Sequence, residues 1–162
     1  MGKSTIRKEL LARGYKVYGT DEDGIAAWHN KKTGTKVARP THAERENGFL
    51  QTHVWLIDKK LVDELVLQSK TALIFLCGVA SNDYDIHHVF DKRICLTLDE
   101  QTLTNRLASR TNSHFGKTPD ELNNVLTWRQ IIEDKNRSLG ALLIDASQPV
   151  EVTVDQILSY AD

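Results

Sequence analysis

The sequence predicts an α/β fold, a three-layer sandwich with helices on both faces of a mainly parallel sheet, and three observations predict it. Short apolar runs alternate with stretches of helical period along the chain. Two of those runs, TALIFLC at residues 71–77 and RICLTL at residues 93–98, are apolar nearly throughout, as strands covered on both faces are. Strand, helix, strand order implies parallel pairing through right-handed crossovers. At 162 residues, 40% hydrophobic and 27% charged, the chain has the size and composition of one domain, 1–162.

Each element has its own reason. Residues 4–13 place Ile6, Leu10 and Leu11 on one helical face, with Gly14 where a helix end favours positive φ. Residues 15–18 read as a strand feeding a turn rich in carboxylates, Gly19-Thr20-Asp21-Glu22-Asp23-Gly24. Residues 28–47 keep no period; they belong to an irregular insert spanning about 28–58, with a small hairpin at Thr33-Gly34. Residues 60–69 carry Leu61, Leu65 and Val66 at helical spacing, ahead of the apolar strand at 71–77. A short helix at 84–90 precedes the strand at 93–98. Asp99 then caps a helix at 99–110 with Leu103 and Leu107 inward. A loop, TNSHFGKT, leads to Pro119, which opens a helix through Leu139. Residues 142–145 form a last strand, and residues 149–160 close the chain as a helix with Val150, Val154, Ile157 and Leu158 on one side.

Composition excludes some classes. Twenty-one basic and twenty-two acidic residues give a net charge of −1, no field for nucleic acid or an anionic surface. The longest apolar stretch, residues 72–78, is too short to span a bilayer, and no leader pattern opens the chain. A cytoplasmic protein with no nucleic-acid or membrane partner is expected. Cys77 and Cys95 sit in apolar runs without metal-ligand or redox spacing and read as core thiols. His87-His88 lacks a third ligand at suitable spacing.

Gly2-Lys3-Ser4-Thr5 reproduces the end of the phosphate-loop motif G-x-x-x-x-G-K-[ST] immediately before an amphipathic helix. Gly2 lets backbone N–H groups approach phosphate, Lys3 brings charge to the β- and γ-phosphates, and Ser4 can ligate Mg²⁺. Thr5 adds a hydroxyl, and the helix dipole favours the anion. The first glycine of the motif and the strand before it have no counterpart, so a true start upstream of Met1 is expected.

With GKST, Thr20-Asp21, the pattern LxxRLxxR at Leu103, Arg106, Leu107 and Arg110, and the run Ile144-Asp145-Ala146-Ser147 with Pro149, the chain resembles P-loop kinases of the adenylate kinase-like and shikimate kinase-like type over nearly its whole length. The resemblance implies ATP and Mg²⁺ as cofactors, and transfer of the γ-phosphoryl group to a small-molecule acceptor. It implies that Arg106 and Arg110, on a lid-like segment at about 103–118, approach that group, and that Ala146, Ser147 and Pro149 contact adenine. Asp21 matches the position that binds or deprotonates the acceptor hydroxyl. Arg39 and Arg45 fall in the acceptor-binding insert.

Several readings stay open. Asp23 either replaces the acid that the shikimate-type pattern has where this chain has Gly19, or simply forms the turn. No aspartate ends the strand at 73–76, which leaves Mg²⁺ to Ser4, waters and nucleotide phosphates. Trp28, His53 and Trp55 either stack a substrate or pack together. A nucleotide-binding module without turnover, or an inactive truncated remnant, is the alternative to a kinase.

Overall fold

The computed structural model describes residues 2–46, 48–109 and 118–161. In chain order, α1 is Lys3–Ala12, β1 Lys16–Gly19, β2 Ala26–Asn30, β3 Lys36–Val37, α2 His42–Glu46, α3 Phe49–Thr52, β4 His53–Ile57, α4 Lys59–Ser69 and β5 Ile74–Cys77. After a 3₁₀ turn at His87–Val89 come β6 Ile94–Thr97, α5 Glu100–Ser109, α6 Pro119–Ser138, β7 Leu142–Asp145 and α7 Val150–Ala161. The α/β class is as expected. No helix among the described residues is long and apolar enough to cross a membrane.

The chain divides into two compact units, one of Leu10–Phe90 and one of Met1–Glu9 with Asp91–Asp162. Among the described residues the strands form three small sheets rather than one mainly parallel layer. In the 10–90 unit, β1 and β5 pair in parallel from Lys16 opposite Ile74 to Gly19 opposite Cys77. Their joint end is tight. Thr20 donates its N–H to the Cys77 carbonyl at 2.9 Å and is itself buried. A Cβ at Gly78 would lie 2.1 Å from Thr20 Oγ1 and Cγ2 and 2.6 Å from Thr20 Cβ, so only glycine fits there.

The insert, expected to be irregular apart from one hairpin, holds a regular three-stranded sheet. Strands β3, β2 and β4 form an antiparallel sheet, with the hairpin at Thr33-Gly34 where the turn residues place it. Trp28 stands directly opposite Trp55, and Ala26 opposite Ile57, on one face. Helix α2 starts at a reciprocal cap: Thr41 N–H donates to Glu44 Oε2 at 2.7 Å, and Glu44 N–H to Thr41 Oγ1 at 3.3 Å. Asn82 extends the edge of β4, accepting from Ile57 N–H at 2.9 Å and donating to the Ile57 carbonyl at 3.0 Å. The core here gathers Ile25, Ala26, Ile57, Val62, Leu65, Ala80 and Ile86. Asp58 caps α4, as its carboxylate accepts from Lys60 N–H.

In the other unit β6 and β7 pair in parallel, from Ile94 opposite Leu142 to Thr97 opposite Asp145. Leu98, Leu103, Leu107 and Ala146 form its core, with Leu122, Val125 and Leu126 of α6 against them. The inward positions predicted for α5 are therefore correct. Asp99 caps α5 as expected, accepting from Thr102 N–H at 2.8 Å. Thr118 caps α6, with Pro119 in its first turn. The segment expected as a helix at 84–90 is mostly turn, with one 3₁₀ turn inside it.

Two outcomes follow. Gly78→Ala costs about 1–3 kcal/mol in urea unfolding, because Thr20 Cβ itself blocks the new methyl and no rotamer relieves the clash. For Asp99, the Thr102 hydroxyl and then the Thr102 N–H hold the carboxyl below the usual carboxylate range. Its stabilising effect is present above the unfolded pKa and is lost as pH falls through the lowered folded value. Thermal melts of Asp99→Ala should show a lower Tm at neutral pH and a gap from the parent that closes in strong acid.

Candidate functional site

Gly2 adopts a φ of 90°, and its carbonyl accepts from Thr5 N–H at 3.0 Å and Ile6 N–H at 2.9 Å. This turn starts α1 at Lys3, which brings the first-turn N–H groups to a helix N-terminus. A Cβ at Gly2 would meet Leu96 at only 4.0 Å, so glycine answers the backbone angle there rather than crowding. Lys3 is half-buried, while Ser4 and Thr5 are exposed. The Lys3 charge is felt at β6. Burial, then Glu133, pushes the Cys95 thiol up, while Lys3 and Arg93 oppose that shift.

The same unit holds the loop between β7 and α7, which is braced from three sides. Asp145 Oδ1 accepts from Ser147 N–H and Oδ2 from the Ser147 hydroxyl, both at 2.8 Å. Ala146 N–H donates to the Thr97 carbonyl at 2.9 Å, and the Pro149 carbonyl accepts from the Thr153 hydroxyl at 3.2 Å. From α5, Arg106 donates through Nη1 to the Ala146 carbonyl at 2.8 Å and through Nη2 to the Ser147 carbonyl at 3.3 Å. The resemblance implies that Arg106 approaches a transferring phosphoryl group; in the structure its fork bonds to the loop that carries Ala146, Ser147 and Pro149. Arg110, with the whole of 110–117, lies outside the described residues.

Sequence reading missed another bracing contact, at the end of β6. Arg129 of α6 donates to the Leu98 carbonyl at 2.9 Å and faces Glu133 at 3.6 Å, with the Glu133 side chain only 15% exposed. The signal was present as an i,i+4 pair on a helix, but nothing in the sequence shows that this face turns inward.

In the 10–90 unit, Asp21 and Arg39 come together at 3.6 Å, both more than half exposed. Two residues proposed for the acceptor thus form an ion pair across a turn and the insert. Asp23 follows its turn-forming alternative: its Oδ2 accepts from Gly19 N–H at 2.7 Å, and its own N–H donates to the Gly19 carbonyl. Arg45 is half-buried on α2. The aromatic group follows its packing alternative. Trp28 and Trp55 lie 5.3 Å apart, Phe49 packs edge-on to Trp28 at 5.2 Å and stacks on His53 at 4.0 Å, and Trp55 rests on the core.

Among the described residues no three His, Cys, Asp or Glu side chains converge as a metal cage. The Gly2 to Thr5 turn places the exposed Ser4 and Thr5 in the first turn of α1. No protein-family model matches the chain, and no curated protein is significantly similar to it. The functional reading therefore rests on the residues alone.

Arg106→Ala removes both grips on the β7–α7 loop. We expect a stability loss of about 1 kcal/mol, since each bond to a charged group on a part-exposed surface contributes only a fraction of its buried value. Faster amide exchange should be confined to residues 145–149, as hydrogen-exchange mass spectrometry can test.

Proposed function

We propose that the chain is a P-loop kinase-like protein that binds ATP with Mg²⁺ and transfers the γ-phosphoryl group to a small-molecule acceptor. The observation that carries this reading is the left-handed Gly2 turn that opens α1 directly on Lys3, Ser4 and Thr5. Backbone N–H groups at that turn hold phosphate oxygens, and the Lys3 ammonium neutralises charge on the β- and γ-phosphates. Ser4 would hold Mg²⁺ through its hydroxyl, and that ion, bound with the nucleotide, would supply charge stabilisation for the transferring phosphoryl group. The braced loop of Ala146, Ser147 and Pro149 receives the adenine, held in shape by Arg106, and Arg110 serves the transferring group.

On the acceptor side Asp21 accepts the hydroxyl proton or positions the hydroxyl, and Arg39 beside it favours an anionic acceptor. Catalysis of this kind works by positioning and charge stabilisation, with no covalent intermediate on the protein. Arg39 beside Asp21 also fits a second reading, binding of nucleotide without turnover. An acceptor hydroxyl would have to displace Arg39 to reach the Asp21 carboxylate.

Titration calorimetry with ATP and Mg²⁺ distinguishes these readings. Lys3→Ala should weaken ATP binding by about 10- to 100-fold, the scale of one charge-assisted phosphate contact. Asp21→Asn should abolish product formation against an acceptor panel and leave ATP affinity unchanged. Binding without turnover in the parent chain supports the second reading, and absence of ATP binding in the parent chain refutes both.

A further inference from the structure

Helix α6 runs from Pro119 to Ser138, the longest in the structure, yet none of its residues is fully buried. Its inner side is accounted for. Leu122, Val125 and Leu126 pack on the core, and Arg129, Glu133 and Asn136 turn toward β6, with Arg129 and Asn136 bonded to Leu98 and Arg93. Its outer side carries Trp128 at 44%, Ile131 at 57% and Ile132 at 38% exposure. Three large apolar side chains within two turns of one helix form a contiguous patch, unlike apolar residues scattered singly on a surface.

The charges flanking this patch are arranged about its centre. Glu121 lies seven residues before Trp128 and Lys135 seven residues after it, so all three fall on one helical face. A two-fold axis through Trp128, with two such helices antiparallel, sets Glu121 of each copy against Lys135 of the other. The same operation places Ile132 opposite Asn124, and it opposes the two helix dipoles. A parallel pairing would instead bring glutamate onto glutamate and lysine onto lysine. Glu121, Trp128 and Lys135 each already interact within their own chain, so association exchanges surface contacts and does not depend on vacant ones.

We propose that this face of α6 seats a second copy of the same chain, helix against helix and antiparallel about Trp128. An isologous contact of this kind closes on itself as a dimer. One helix face is smaller than the area typical of permanent dimers, so the association is weak and concentration-dependent.

Sedimentation equilibrium on the full chain, from low micromolar to submillimolar concentration, tests this. The expected result is a rise in mass from 18.3 kDa toward twice that value. Ile131→Glu should abolish the rise. Glu121→Lys or Lys135→Glu alone should weaken the dimer by about three- to tenfold, and the double swap should restore it. Urea midpoints for each variant establish that it folds. A chain that stays monomeric throughout, a dimer that survives Ile131→Glu, or a double swap that fails to recover would each overturn the proposal.

Discussion

Parallel pairing of strands only four residues long is the constraint on which the rest of the molecule depends. A two-stranded sheet of that length does not hold by itself, because its few backbone hydrogen bonds barely exceed what water offers the open chain. Strands β1 and β5 therefore need the apolar side of α4, through Val62 and Leu65, to bury one face. Strands β6 and β7 need α5, α6 and α7 in the same way, through Leu103 and Leu107, through Leu122 and Leu126, and through Val154 and Ile157. Helix burial, more than the ladder itself, keeps each pair together.

That dependence explains where the polar bracing sits. At the carboxyl ends of β1 and β5, Thr20 and Gly78 approach closely, and Asp23 closes the turn that follows β1 on Gly19. At the carboxyl ends of β6 and β7, Arg129 fastens Leu98 and Arg106 fastens Ala146 and Ser147. Arginine suits this task because its planar fork reaches two carbonyls at once while its stem lies along apolar surface. Loops held this way keep a fixed shape, which is what a binding loop requires.

Much of the candidate site was legible from residue type and spacing. GKST before an amphipathic run announced the helix start that the structure shows, because the glycine and the helical period are local properties. Asp99 as a cap and Leu103 and Leu107 as core positions were readable for the same reason. The insert was not. Its strands owe their pairing to Trp28 meeting Trp55 some twenty-seven residues away, and polar neighbours hide the period in β2 and β3. The Thr41-x-x-Glu44 cap was a local signal within that segment that the overall polarity obscured.

Roles of charged side chains divided along the same line. Sequence by itself determined the α/β class, the first helix, the Asp99 cap and the inward Leu103 and Leu107, since most of these depend on atoms within a few residues of one another. Tertiary structure alone decided that Arg106 grips a loop forty residues away, that Asp21 meets Arg39, and that Asp23 folds back on Gly19. A long flexible side chain reaches several neighbours, and which one it meets is set by the packing of distant segments. The glycine turn that opens α1 was therefore written in the chain, whereas the partners of Arg106 and Arg39 were fixed only by the fold.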